Sequence, residues 1–370
     1  MKPSEIIICI LILVALFFSY SLYRQVSAGQ NEKNNVIQVV TNPTLPKINS
    51  PNLSRQFQKG MALGLYGDKP GFTLLDMIKE IPKLGATHIS LILSWAQKDV
   101  FATEIAPEPN KAPYKDEQIA RFIQVSHECG LKVFLFPILH VKERGDKEWR
   151  GTLKPKDRDE WWKNYNRFIL HYAEMAEKFS VEILCIGSEL VAMEGERERW
   201  AALIHSVRQV YKGKILYSAN WDHFKPVVFW DLVDYIGMTA YYELTKSKEP
   251  TIEQLIAKWE SIRDELRSWQ KAIGKPIIFT EVGYPSQDGC NIYPWDYTTD
   301  EPIDLTEQYL CYLAFFRVWS VEKMLGGVYF WNWYGFGGPN DGYYTPRGKP
   351  AELVIKAWYG VEQMMTPVSN

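Results

Sequence analysis

The sequence has few of the features that mark disulfide-stabilised, metal-binding or nucleotide-binding proteins. Its 370 residues include only five cysteines, and none of these forms a C-x-x-C pair, the spacing that favours a zinc or redox site. The glycine-rich dinucleotide turn G-x-G-x-x-G is missing, and so is a Walker-type phosphate loop. We therefore expect no metal and no cofactor, and we assign no disulfide.

An excess of positive charge is also lacking. The chain carries 42 basic and 44 acidic side chains, for a formal net charge of −2. A general nucleic-acid binder needs a basic face to neutralise phosphates. The charge balance therefore argues against nucleic acid as a partner.

Aromatic residues, in contrast, are abundant. They make up 14% of the chain and include 14 tryptophans and 21 tyrosines. A buried Trp or Tyr needs a partner for its polar group, so we expect many of these rings in a groove or at the surface. There they can stack on the apolar faces of sugar rings, although a Trp-rich core is an alternative explanation.

The N-terminus carries an almost unbroken apolar run over residues 6–18. The small residues 26–28 fit a cleavage site, which favours a signal peptide over 1–28. The apolar stretch 5–22 approaches the length of a spanning helix, which favours a retained membrane anchor instead. Both alternatives predict a secreted or otherwise extracytoplasmic protein. Residues 29–58 are polar and aperiodic and are predicted to form a flexible linker.

Short apolar runs alternate with longer amphipathic ones from residue 60 onward, which predicts buried parallel strands separated by helices. The predicted strands are 61–66, 88–94, 132–139, 182–187, 214–220, 235–240, 276–280 and 327–331. The clearest helical pattern is 251–273. The weakest segment follows Asn220, where we expect only a short helix near Phe229.

Eight such repeats predict a (β/α)₈ TIM barrel over residues 59–362, followed by a short tail at 363–370. An open doubly wound sheet is the alternative. The missing dinucleotide turn after the first strand disfavours it.

The active site of such a barrel lies at the carboxyl ends of its strands. Polar and aromatic residues occupy those positions in this sequence. As substrate contacts we predict Trp95, His140, Ser188, Asn220, Tyr241, Tyr242 and Trp331. We expect Trp221 and Trp333 to be packing residues, and the charged run 194–199 to be a solvated helix start.

Two glutamates stand out among the strand-end residues. Glu189 and Glu281 each follow an apolar strand and are 92 residues apart. Three repeats of a barrel of about 250 residues take about 93 residues, so the spacing fits strands four and seven. Such a carboxyl pair can protonate a glycosidic oxygen and attack an anomeric carbon. The sequence therefore predicts glycoside hydrolysis, although either glutamate alone could instead cap a helix.

The motifs around these glutamates resemble those of clan A glycoside hydrolases. Gly187-Ser188-Glu189 follows the fourth strand, Thr280-Glu281 followed by Val-Gly-Tyr follows the seventh, and Trp331 ends the eighth. The chain is most similar to glycoside hydrolase family 113. This resemblance implies a retaining mechanism with Glu189 as acid/base and Glu281 as nucleophile.

The resemblance also assigns supporting roles. It implies that Tyr241 or Tyr242 holds the nucleophile and that Trp331 forms the floor of the subsite whose bond is cut. Many clan members have Asn before the acid/base, where it contacts the sugar 2-hydroxyl. Ser188 stands there in this sequence, so this contact is either lost or supplied by Asn220.

The resemblance favours a monomeric retaining endo-β-1,4-mannanase with a polysaccharide as its partner. Another β-glycanase acting on glucan, galactan or xylan is an alternative, and so is a non-catalytic carbohydrate-binding barrel. A phosphate-ester lyase on the same fold is a third alternative. For catalysis we expect Glu281 to be ionised and the pKa of Glu189 to be raised.

Overall fold

A computed structural model of the protein describes residues 56–108 and 114–360. The predicted signal or anchor segment, nearly all of the linker and the tail 363–370 lie outside these ranges. Among the described residues, no helix is long and apolar enough to cross a membrane.

Eight parallel strands form a closed barrel, which confirms the predicted fold. The first strand pairs with both the second and the eighth, and this double pairing closes the sheet. The strands are β1 (Gln58–Gly64), β2 (His88–Gln97), β3 (Lys132–Val141), β4 (Ile183–Ser188), β5 (Lys214–Ala219), β6 (Tyr235–Thr239), β7 (Ile277–Val282) and β8 (Leu325–Phe330). A two-residue strand, Ala106–Pro107, adds to β2 in antiparallel fashion.

Helices cover the outside of the barrel between successive strands. Within the described ranges they are α1 (Leu74–Glu80), α2 (Asp116–Glu128), α3 (Arg158–Lys178), α4 (Arg197–Val210), α5 (Ile252–Ile273), α6 (Leu305–Trp319) and α7 (Pro350–Tyr359). The connection from β5 to β6 contains only a 3₁₀ turn, Trp230–Leu232. The weak pattern after Asn220 correctly predicted this gap.

Local sequence explains the sharp boundaries of α5. At its start, Thr251 accepts a hydrogen bond from the backbone of Gln254, whose side chain bonds back to Thr251, the arrangement of a capping box. At its end, Gly274 has φ 75°, a left-handed conformation that glycine adopts at little cost.

Apolar side chains from seven of the eight strands meet in one buried cluster, and Tyr235 of β6 packs against it. The cluster comprises Ala62, Ile92, Phe134, Phe136, Ile138, Ile183, Cys185, Leu216, Ile278 and Tyr329. The residues of β3 in this cluster are two apart, because alternate side chains of a strand face the same side. Cys185 is a buried small hydrophobe, as predicted. This packed interior holds the strand ends, and hence the side chains that follow them, in fixed relative positions.

Three contacts fasten the start of β1 to β8 and to α7, the last described helix. The ring of Phe57 lies 6.2 Å from that of Trp358. Gln58 accepts a hydrogen bond from the hydroxyl of Tyr329 at 2.8 Å. The ammonium of Lys59 donates to the backbone carbonyl of Tyr359 at 2.7 Å. These contacts lead us to predict that the folded domain begins near Phe57.

We predict that a chain starting at residue 56 folds with the same melting temperature as the full-length chain. Adding Phe57→Ala should then lower the free energy of unfolding by about 3 kcal/mol, because a buried aromatic ring is lost. Val321→Ala is a matched control, since Val321 is 75% exposed. Thermal melts and denaturant titrations of the full-length chain, the truncated chain and its two variants measure these effects. An equal loss on removing residues 1–55 alone would contradict the proposed boundary.

Candidate active site

A cleft of about 1040 Å³ opens at the carboxyl ends of the strands. The structure brings six of the predicted site residues together in its wall. These are His140, Glu189, Asn220, Tyr241, Glu281 and Trp331. The other three, Trp95, Ser188 and Tyr242, are not among the residues that line it.

Trp95 departs from the prediction because of strand alternation. Ser94 faces the cleft, so the next side chain points to the opposite side of β2. There the indole of Trp95 is buried against α3, 5.2 Å from the ring of Phe168, and its Nε1 donates to the hydroxyl of Tyr172 at 2.9 Å. Trp95 is therefore a barrel–helix packing residue and is not among the residues that line the cleft.

Tyr242 and Ser188 also depart from the prediction, because both side chains are buried away from the cleft. The ring of Tyr242 packs against Trp221 and Trp259, with centroids 5.1 and 5.5 Å away. Tyr241 is therefore the tyrosine that reaches the second glutamate. Ser188 is 2% exposed. Its hydroxyl is buried with no hydrogen-bond partner among the described residues, and it does not reach the cleft.

Glu281 lies at the end of β7 with its carboxyl group buried. The Tyr241 hydroxyl donates to Oε2 at 2.8 Å, whereas Oε1 accepts no hydrogen bond from the described residues. Burial and, to a smaller extent, the charge of Glu189 raise the pKa of Glu281 to about 8, against the lowering effects of Arg150 and Tyr241. One oxygen of the Glu281 carboxyl group is thus hydrogen-bonded, and the other has no partner among the described residues.

Glu189 occupies a turn directly after β4 with φ 54°, a conformation that is uncommon for a residue with a side chain. Its backbone N–H donates to Ser218 at 2.8 Å. Thr239 donates to Oε1 at 2.9 Å, and Arg150 donates to Oε2 at 2.5 Å. Every one of these contacts orients the carboxylate towards the cleft.

Arg150 is the functional residue that sequence reasoning missed. It begins a 3₁₀ turn, Arg150–Thr152, well beyond the end of β3, so the strand-end rule could not find it. Glu281 also differs from the expectation. We expected it to be ionised, but burial and the charge of Glu189 raise its pKa to about 8.

A buried hydrogen-bond network supports the Glu189 turn from behind. The Tyr217 hydroxyl accepts from the backbone N–H of Leu190 at 2.8 Å and donates to Glu194 at 2.6 Å. His223 contacts the other oxygen of Glu194 at 2.7 Å. Residues 197–199 are exposed and begin α4, as the predicted solvated helix start requires. Glu194 has no exposed surface, so the prediction is wrong for this residue. Its partners come from β5 and the loop after it, which no local pattern reveals.

Aromatic side chains form one wall of the cleft. The indoles of Trp221 and Trp295 stack at 5.8 Å with an interplanar angle of 24°, and Tyr297 lies beside them in the lining. Trp221 therefore faces the cleft, contrary to the prediction that it packs in the core. Trp333 is buried as predicted, and its Nε1 donates to Glu80 at 3.1 Å.

Two further predicted contacts lie in the cleft with protein partners of their own. Nδ1 of His140 is 3.2 Å from a carboxylate oxygen of Glu108. Asn220 donates to Asp222 at 2.8 Å, and its Oδ1 lies 3.4 Å from the Thr239 hydroxyl. Asn220 is thus linked to Glu189 through Thr239. Its proposed contact with a sugar 2-hydroxyl stays a prediction.

Two groups of potential metal ligands lie elsewhere and share Glu307; one of them is Asp288, Asp304 and Glu307. Cys290, Glu307 and Cys311 have potential ligand atoms within 4.8 Å of one another. However, Glu307 accepts hydrogen bonds from the backbone of Gly289 and from both the backbone and the side chain of Asn291. The carboxylate therefore clamps this turn onto α6, a role that requires no metal ion.

Comparison with known proteins identifies the family. A sequence model of Glycoside Hydrolase Family 113 matches residues 64–337, well over half of the chain. The chain belongs to glycoside hydrolase family 113. The matched range includes both Glu189 and Glu281. No match was found among curated protein sequences.

Solved structures agree with this family assignment. A family 113 β-1,4-mannanase is 26% identical, with a TM-score of 0.74 over 83% of this chain and 99% of its own. The family 113 β-mannanase AaManA from Alicyclobacillus acidocaldarius, in complex with ManMIm, is 28% identical, with a TM-score of 0.73 over 82% of this chain and 97% of its own. A β-glucuronidase from Ruminococcus gnavus, at 13% identity and a TM-score of 0.54, shares the barrel fold alone. As a family 113 member, the protein is a glycoside hydrolase.

We predict that Tyr217→Phe loosens the Glu189 turn of this glycoside hydrolase. The substitution leaves the Leu190 N–H buried without a partner, which should cost about 1–3 kcal/mol of folding free energy. Turnover should fall because Glu189 is no longer held in place. Tyr211→Phe is a matched control, since its hydroxyl donates to Val181 away from the cleft. Equal kinetic losses in the two variants would contradict a specific role for Tyr217.

We predict that Glu281→Gln stabilises the protein at alkaline pH. The unfolded side chain ionises near pH 4.5, whereas the folded one stays protonated until about pH 8. The wild type therefore loses stability relative to the variant as pH rises between these values, and the difference is constant above them. Melting temperatures at pH 4 and pH 8.5 measure it, with the exposed Glu249→Gln as control. A difference that does not grow with pH would contradict the burial of this carboxyl group.

Proposed function

We propose that this protein is a retaining endo-β-1,4-mannanase that acts outside the cytoplasm. The observation that carries the proposal is the asymmetric environment of Glu281. Tyr241 donates to one oxygen, the other has no hydrogen-bond partner among the described residues, and the charge of Glu189 acts on the group. A nucleophile needs this arrangement, because one oxygen must be oriented while the other forms a bond.

The first step of the proposed reaction uses both glutamates. Glu281 Oε1 attacks the anomeric carbon while Glu189 donates a proton to the departing glycosidic oxygen. The Tyr241 hydroxyl stays bonded to Oε2 and orients the carboxylate. The leaving sugar carries the proton away, and a covalent glycosyl ester of Glu281 is formed.

The second step reverses these roles. The ester has no charge, so it no longer repels an ionised Glu189. Glu189 can then take a proton from water, whose oxygen attacks the anomeric carbon and releases Glu281. The configuration at this carbon is retained because it has been inverted twice.

Two features support a polymeric mannan as the substrate. The cleft is wide and has an aromatic wall that includes Trp221, Trp295 and Tyr297, and such rings can stack on successive sugars. The solved relatives at 26–28% identity are β-1,4-mannanases. The apolar run at residues 6–18 supports export, either by a cleaved signal or with a retained anchor.

Two variants test the mechanism. Glu281→Ala should abolish turnover of every β-linked substrate. Glu189→Ala should lower turnover of mannan by about 10²–10⁴-fold, since general acid catalysis is lost. On an aryl mannoside with a good leaving group it should accumulate the glycosyl-enzyme, and azide should restore turnover as a β-mannosyl azide.

The same experiment distinguishes the alternatives, with Glu249→Ala as the surface control. Faster hydrolysis of glucan, galactan or xylan than of mannan would overturn the substrate assignment. An α-mannosyl product, followed by NMR, would overturn retention. Carbohydrate binding without any turnover in the wild type would indicate a non-catalytic barrel.

A further inference from the structure

We infer that Tyr343 binds a sugar of the polysaccharide beyond the one being cleaved, and that the buried Lys349 is the positioning residue that holds Tyr343 in place. Both lie in the loop between β8 and α7, at residues 331–349. This inference rests on the proposed function, because it concerns how a β-linked chain binds in the same cleft.

The ring of Tyr343 is accessible to a ligand in the cleft. Tyr343 is 63% exposed, and it lines the cleft together with Glu189 and Glu281. A tyrosine combines an apolar ring face with a polar hydroxyl, which matches the apolar C–H face and the hydroxyl groups of a sugar. Covering this ring with a sugar removes apolar surface from water, which favours binding.

The backbone of Tyr343 is held on both sides by one ion pair. Asp341 accepts a hydrogen bond from the backbone N–H of Tyr343 at 2.8 Å. Lys349 donates to the backbone carbonyl of Tyr343, also at 2.8 Å. Nζ of Lys349 lies 3.1 Å from a carboxylate oxygen of Asp341. The peptide groups that flank the ring of Tyr343 are therefore fixed by opposite ends of the same pair.

The ammonium group of Lys349 is fully satisfied within the protein. Its side chain has no exposed surface, and the Ser286 hydroxyl is its third acceptor, at 2.7 Å. An ammonium group has three N–H donors, and Asp341, Tyr343 and Ser286 supply three acceptors. Apolar side chains of similar volume are often at least as stabilising as a buried ion pair. We therefore attribute this buried lysine to the geometry that it imposes on the loop.

Ser286 connects the ion pair to the strand that carries Glu281. It lies shortly after the end of β7. Its hydroxyl donates to the backbone carbonyl of Asp341 at 2.6 Å, and its backbone N–H donates to the carbonyl of Tyr343 at 3.3 Å. The loop after β8 is thus fastened to the loop after β7, so Tyr343 keeps its position relative to the nucleophile.

Tyr343 should contribute to substrate binding and not to bond cleavage. Other residues supply the hydrogen bonds of Glu189 and Glu281, so Tyr343 has no part in orienting them. A contact that is equally strong in the ground state and the transition state changes KM and leaves kcat unchanged. Loss of Tyr343 should therefore affect a long oligosaccharide and spare a substrate with a single sugar.

Kinetics on mannohexaose and on an aryl mannoside test the role of Tyr343. In Tyr343→Ala the KM for mannohexaose should rise by about 3–10-fold, as expected for the loss of one aromatic contact. Its kcat, and the KM for the aryl mannoside, should stay within about two-fold of the wild type. Phe101→Ala is the matched control, because Phe101 is 43% exposed and does not line the cleft. An unchanged KM for mannohexaose, or a parallel fall in kcat, would overturn the inference.

The double variant Lys349→Met/Tyr343→Ala tests whether Lys349 acts through Tyr343. Lys349→Met alone should raise the KM for mannohexaose in the same way, and the double variant should have the KM of Tyr343→Ala. KM increases that multiply would make Lys349 an independent structural residue and would overturn the inference. Lys356→Met is the control, since Lys356 pairs with Glu352 within α7. If Lys349→Met does not fold, Ser286→Ala removes one acceptor of Lys349 and should raise the same KM by a smaller factor.

Hydrogen exchange followed by mass spectrometry tests the loop without any substrate. The amides of residues 337–343 should exchange faster in Lys349→Met than in the wild type, because the contacts that close this segment are lost. The segment around Glu189 should exchange at the wild-type rate, and Lys356→Met should match the wild type throughout. Unchanged exchange of residues 337–343 in Lys349→Met would overturn the positioning role.

The outcomes separate this inference from the proposed function. If the wild type cleaves no mannan, the proposed function fails, while hydrogen exchange still decides whether Lys349 holds the loop. If the wild type cleaves mannan and Tyr343→Ala keeps the wild-type KM for mannohexaose, the proposed function stands and this inference fails.

Discussion

The active site depends on two carboxyl groups that share a buried space and cannot both be ionised at low cost. Burial and mutual repulsion favour a proton on the pair, whereas Arg150 and the Tyr241 hydroxyl favour negative charge. Catalysis by such a pair requires one acid and one base at the same pH. The contacts around the two carboxyl groups balance these opposing effects.

The support for the pair is itself polar and buried. Glu189 sits in a left-handed turn that a single backbone bond to Ser218 and the network of Tyr217, Glu194 and His223 hold in place. A strained conformation persists only where its surroundings determine it. The barrel strands fix β4, β5 and β7 against one another, so the strain at Glu189 is carried by a rigid frame.

The aromatic residues divide between two roles that composition alone could not separate. Trp95, Trp161 and Trp333 are buried in the packing around the barrel, whereas Trp221 and Trp295 stack on one another in the cleft wall. The first group contributes to stability, and the second is available to sugar rings. The sequence analysis offered a groove and a Trp-rich core as alternative explanations for the many tryptophans. Both are present in the structure.

Hydrophobic periodicity was sufficient to predict the barrel and its eight strands, because buried parallel strands have a local sequence pattern. The 92-residue interval between Glu189 and Glu281 was sufficient to place them on strands four and seven, because the repeat length is also a property of the sequence. Motifs at the strand ends were sufficient to indicate the family. Tertiary structure alone decided that Trp95 faces a helix, because its side depends on the strand register within the barrel. It also decided that Glu194 is buried and that Arg150 meets Glu189, since these contacts join loops and strands about 20–40 residues apart. The protonation of the two glutamates depends on those contacts, because electrostatic interactions depend on distance and burial and not on order along the chain.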